Sequence, residues 1–119
     1  MIKKSSVMTT TTALQSLYTV PNGKRTEWKT TWISNISGSN GSFTFTYYNN
    51  KTNTTYTIFS SHTLSSKDFF NMGGEQFEFV VMYEGDYIQV SATHPMTAIV
   101  SVVEYNERGL RCQLRKIVG

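Results

Sequence analysis

A chain of 119 residues with one cysteine and a net charge of +3 fits a single domain. It excludes an internal disulfide and any multi-cysteine zinc site. No run of about 18 apolar residues is present, so no membrane-spanning helix is expected, and the lysines of MIKKSSVMTTTT lack the apolar stretch of a secretory signal.

The charge is unevenly placed. Residues 5–107 carry five cations against all eight acids, while the ends hold Lys3, Lys4, Arg108, Arg111, Arg115 and Lys116. The body is mildly acidic and its extremities are basic. A nucleic-acid-binding face would put the cations on the body, so nucleic acid is not an expected partner. Composition points to strands: 17 Thr, 13 Ser, 8 Asn, seven Tyr, seven Phe and two Trp. β-branched and aromatic side chains suit a half-buried pleated surface, and Asn, Ser and Gly suit the turns between strands.

Residues 1–12 are polar and of low complexity, and read as a flexible arm that orders on a partner. ALQSLYTV (13–20) reads as the first strand, and Pro21-Asn22-Gly23-Lys24 as a turn. In RTEWKTTWISNIS, period two puts Trp28, Thr30, Trp32, Ser34 and Ile36 on one face. That face reads as core for both tryptophans. After the GSNG turn (38–41), SFTFTYYN sends Phe43, Phe45 and Tyr47 one way and Thr44, Thr46 and Tyr48 the other. NNKTN (49–53) is a loop tip, and TTYTIFSS continues with Tyr56 and Ile58 in phase. A short strand is predicted near Phe69 and Phe70, closed by Gly73-Gly74. FEFVVMY aligns Phe77, Phe79, Val81 and Tyr83. The turn Glu84-Gly85-Asp86 leads into YIQVSA, with Ile88, Val90 and Ala92 inward. His94-Pro95 turns the chain into MTAIVSVVEY, with Ala98, Val100 and Val102 in phase.

About eight short strands with regular turn signals, and no 3.6-residue apolar stripe, predict an all-β fold. The architecture expected is one antiparallel β-sandwich or jelly roll over 13–105. The segment 106–119 reads as a basic amphipathic C-terminal arm. In it Leu110, Arg111, Leu114, Arg115 and Ile117 are the residues expected to bind a partner. The arm could add as a strand to a neighbouring chain or pack back on its own domain.

Little in the sequence suggests reactive chemistry. His62 and His94 are 32 residues apart with no further ligand at metal spacing, so no metal and no cofactor are expected. No Gly-x-Ser-x-Gly elbow occurs. Glu84 and Asp86 read as acceptors for turn amides. Asn35, Asn40, Asn50 and Asn53 each begin Asn-x-Ser/Thr, which chance supplies in a Thr- and Asn-rich chain. Tyr48 and Tyr87 point outward and are candidates for a subunit interface or a sugar-stacking platform.

The order VPNGK, ISNIS, SFTFTYYN, the Gly-Gly turn, YEGDYIQVSA and TAIVSVVEY resembles the small all-β virion proteins of tailed bacteriophages. These are decoration, neck or tail-associated components. The resemblance covers residues 17–105 and carries no catalytic signature. It implies a non-enzymatic structural protein of the virion, assembled in the host cytoplasm. Such a protein forms a homo-oligomer and binds capsid, portal or tail subunits, with no membrane. Free Cys112 suits a reducing compartment. The alternative expectation is a carbohydrate-binding module for host adsorption, with Tyr48 and Tyr87 stacking on sugar rings.

Overall fold

The structure is a computed structural model, and it describes residues 1–73 and 80–106. Within them lie nine strands: β1 (Ile2–Thr9), β2 (Gln15–Thr19), β3 (Lys24–Ser34), β4 (Gly41–Asn49), β5 (Thr54–Leu64), β6 (Phe69–Gly73), β7 (Val80–Tyr83), β8 (Tyr87–Ala92) and β9 (Thr97–Asn106). They form two antiparallel sheets. Sheet I has the order β1-β9-β3-β6, with β7 also pairing β3; sheet II has the order β2-β8-β4-β5.

The pairings nest. β1 pairs β9, β2 pairs β8, β3 pairs β6 and β7, and β4 pairs β5. β6 lies along Thr30–Ser34 of β3 and β7 along Arg25–Trp28, so the two share one rung. Eight rungs paired first-to-last describe one long hairpin curled over itself, which is a jelly roll. The all-β sandwich expected from the sequence is therefore the observed fold.

Alternation builds the interior. Phe43 and Phe45 of β4, Ile88 and Val90 of β8, and Ala98, Val100 and Val102 of β9 are all buried. Phe43 and Phe45 meet edge to face at 5.8 Å. Full burial of a side chain of this size stabilises by about 1.5–3 kcal/mol. Two glycines are required by geometry. Gly73 has φ 104°, and a Cβ there would collide with the Lys29 carbonyl oxygen; Gly85 has φ 87° and a Cβ would strike the Asn50 side chain.

Two expectations are corrected. Residues 1–12 were expected to be a free arm, yet Ile2–Thr9 form the edge strand β1, paired over eight residues with β9. The hold is mainly a backbone ladder: none of its side chains is fully buried. Its partner is the chain's own β9, and Thr10 locks the end. Thr10 is buried, its amide donates to the Met96 carbonyl at 2.8 Å, and its hydroxyl donates to the His94 carbonyl at 3.1 Å.

The second correction concerns β3. Trp28 opposes Val102 but Thr30 opposes Ser101, leaving Lys29 as an extra residue. This bulge reverses the alternation. Thr26 and Trp28 point inward before it; Thr31, Ile33 and Asn35 point inward after it. Trp28 is wholly buried, whereas Trp32 is 38% exposed and Ile36 65% exposed. Only one tryptophan belongs to the core.

Candidate assembly surfaces

Cross-strand partners share a face, so the registers define what each sheet shows to solvent. On sheet I one row runs Val7, Ile99, Trp32, Asn71; the next runs Thr9, Thr97, Ser34, Phe69. Trp32 and Phe69 stack with ring centroids 4.8 Å apart and planes 3° apart. The Trp32 indole donates to the Ser34 hydroxyl at 3.0 Å, which fixes the ring on the face. Val7, Phe69 and Tyr83 are each about half exposed or more. The face is mostly hydroxyl and amide, as a solvated sheet face normally is, but it carries four apolar side chains, Val7, Ile99, Trp32 and Phe69, in two adjoining rows.

A cluster of charges stands at one end of this face. Glu27, nearly buried, accepts from Lys29 at 3.1 Å, from the Tyr105 hydroxyl at 3.2 Å and lies 3.5 Å from Arg25. Arg25 sits 4.4 Å above the Tyr105 ring. Burial alone would raise the Glu27 carboxyl, but Lys29, Tyr105 and Arg25 together hold it below its ordinary value. The bulge at Lys29 aims that ammonium at Glu27. Beside it, Lys3, Lys4, Ser5, Ser101, Val103 and Tyr105 line part of an open groove of about 550 Å³.

Sheet II differs. None of its four strands contains Asp, Glu, Lys or Arg. Its outer rows pair Thr44 with Ser91, Thr46 with Gln89, and Tyr48 with Tyr87. The Tyr48 and Tyr87 rings stack at 4.5 Å and 15°, and the Tyr48 hydroxyl donates to the Asn53 side chain. The two outward tyrosines picked from the sequence are thus one unit.

The acids and histidines fall into structural places. Asp86, buried, accepts from the Asn50 amide at 2.8 Å, the Tyr83 amide at 2.9 Å and the Tyr47 hydroxyl at 3.0 Å. Glu84 accepts from the Gly23 amide. Both meet the expected role in turns. His62 stacks on Phe43 at 5.1 Å, and His94 contacts the Asn40 carbonyl at 3.0 Å. Asn35 is buried and bonds the Ser39 and Leu64 carbonyls, which removes it as a glycan acceptor. Among the described residues no three His, Cys, Asp or Glu side chains come together as metal ligands. Leu110, Arg111, Leu114, Arg115 and Ile117 lie outside the described residues.

The sequence reading missed Trp32 and Phe69 as a surface pair. They are 37 positions apart, and the bulge that turns Trp32 outward leaves no mark in the hydropathy pattern. A scan against protein-family models finds no match, and a search of curated proteins finds none either.

Proposed function

We propose that this chain is a non-enzymatic structural component of a tailed-phage particle, a capsid decoration, neck or tail-associated protein. It assembles with copies of itself and binds other virion proteins. The observation that carries this reading is the exposed Trp32–Phe69 stack, with Ile99 and Val7 beside it, on the hydroxyl-rich outer face of sheet I. Exposed apolar patches with aromatic anchors are the usual mark of protein contact surfaces. The jelly roll supports the reading only by analogy, since the same fold serves capsids, lectins and cupins. The strand and turn order over residues 17–105 adds the resemblance to virion proteins. The basic segment with Leu110, Arg111, Leu114, Arg115 and Ile117 is proposed as a further attachment element. Mass spectrometry of purified particles tests the reading: the chain is expected at a fixed stoichiometry to the major capsid protein, and its absence would overturn the assignment.

The Tyr48–Tyr87 stack favours a second reading, a neutral-glycan site for host adsorption. It stands on a sheet with no charged residue and amid hydroxyl and amide groups, the chemistry that sugars meet. Glycan-array binding lost in Tyr48→Ala would support it, and a blank array with the native chain would dismiss it.

A further inference from the structure

We infer that β1 is an exchangeable strand: Ile2–Thr9 of one copy leaves its own β9 and completes the β9 edge of a second copy, which gives its β1 in return. This rests on the self-assembly reading above and names the element that performs it.

β1 and the body are separable. The buried apolar core holds no side chain of β1, and Met8 packs against it while partly buried. Removing β1 therefore takes no buried side chain out of the core. It uncovers the edge of β9 along Thr97 to Glu104. A bare edge of that length is a template for another strand, so β9 needs a β1 from one copy or another. The connector to β2 is loosely held. Thr10 is buried, but residues 11–14 are exposed. There the Ala92 amide donates to the Thr11 carbonyl at 2.9 Å, and the Thr11 hydroxyl to the Ala13 carbonyl at 3.1 Å. Extended rather than folded back, those four residues span about 13 Å, which carries the arm off its own body.

The strand that fits the bare edge is β1 itself. Lys4 lies 3.2 Å from the buried Glu104 carboxylate. The Thr10 hydroxyl donates to the His94 carbonyl at 3.1 Å and accepts from the Met96 amide at 2.9 Å. These contacts set the register, because a slip of one residue would send Lys4 to the opposite face. All of them form equally well with β1 of a second copy. Exchange of an identical element is the low-cost route to a dimer.

Concentration decides between the two arrangements. A chain's own arm, on a short connector, competes at an effective concentration on the order of 1 mM. In dilute solution β1 stays on its own β9. Copies held side by side on a particle reach that range, and exchange then ties neighbours together.

The test uses a cross-strand disulfide. The Ser5 and Ser101 hydroxyl oxygens are 3.3 Å apart across the β1–β9 pairing, so cysteines there meet disulfide geometry. Ser5→Cys and Ser101→Cys are made in separate chains, each with Cys112→Ser, then unfolded together and refolded. A disulfide-linked dimer of the two is expected at about 1 mM protein, its yield falling more than tenfold at about 10 µM. The double variant Ser5→Cys/Ser101→Cys should close within one chain at the lower concentration. A double variant that closes so while the mixed single variants stay unlinked at about 1 mM would overturn the inference. So would a double variant that forms no disulfide, or linkage of Ser5→Cys to Ser91→Cys, on the outer face of sheet II, as strong as to Ser101→Cys. Failure here with the chain still present in particles would leave the virion reading standing; exchange by a chain absent from particles would do the reverse.

Discussion

The Tyr18 hydroxyl donates to a carboxylate oxygen of Glu104 across 2.6 Å, inside the sandwich and 86 positions apart in sequence. The Thr26 hydroxyl bonds the same Tyr18 oxygen at 2.9 Å. Lys4 of the edge strand lies 3.2 Å from the carboxylate. One buried acid thus ties β1, β2, β3 and β9 together. Replacing Glu104 with Ala removes the carboxylate acceptor of Tyr18 and leaves the buried Thr26 hydroxyl as its remaining partner. The expected cost is about 2–4 kcal/mol, read as a lower urea midpoint at unchanged m.

The same contact sets an alkaline limit. Burial first, then the Glu104 carboxylate, pushes the Tyr18 hydroxyl well above its ordinary value. Tyr47 is pushed up to about 12 by burial and by Asp86. Both raise the pKa of the folded state, so the fold favours the neutral phenols. Their contribution is complete below the ordinary tyrosine range and fades as pH climbs from about 10 towards the folded values. Thermal melts from pH 8 to 12 should show Tm falling above about pH 10. Tyr18→Phe should flatten that fall; an equal slope in the variant would contradict the assignment.

Glu27 acts in the opposite direction. Its carboxyl is held below its ordinary value, so its contribution is present above that value and is lost as pH drops through the folded one. Glu27→Gln should therefore lose stability at neutral pH and reduce the loss seen between about pH 5 and pH 3. Chemical denaturation at both ends of that window measures it.

The two tryptophans should respond differently to truncation. Trp28→Ala empties a fully buried site beside Phe45, whose ring centre is 6.3 Å away, and should cost about 3–5 kcal/mol. Trp32→Ala removes a surface ring and should cost about 1 kcal/mol or less in the lone chain. Acrylamide should quench Trp32 emission and leave Trp28 emission little changed, a comparison made with Trp28→Phe and Trp32→Phe.

Asp86 is the organiser of one loop end. Two backbone amides and the Tyr47 hydroxyl all donate to it. Asp86→Ala should cost about 2–4 kcal/mol, with faster amide exchange at Asn50 and Tyr83 as its local signature.

Much of this fold was legible because side-chain alternation records which face a strand buries. In β4, β8 and β9 the expected inward residues are the buried ones, and the Pro21–Lys24 and Glu84–Asp86 turns stand where their residue types placed them. β1 was illegible for a physical reason. Its hold is a backbone ladder, and a ladder has no side-chain signature. The Lys29 bulge was illegible too: one inserted residue changes the phase of everything after it, and only the partner strand reveals the insertion. That single residue moved Trp32 from the expected core to the surface, and with it the candidate site. The outward pointing of Tyr48 and Tyr87 could be read from period two, but their stacking needed the β4–β8 register.

Density for this chain in an intact particle tests the central claim most directly. The account predicts symmetric sets of copies on the head, neck or tail, with Trp32 and Phe69 covered by protein. A particle without the chain, or one whose bound copies leave that aromatic pair facing solvent, would contradict it.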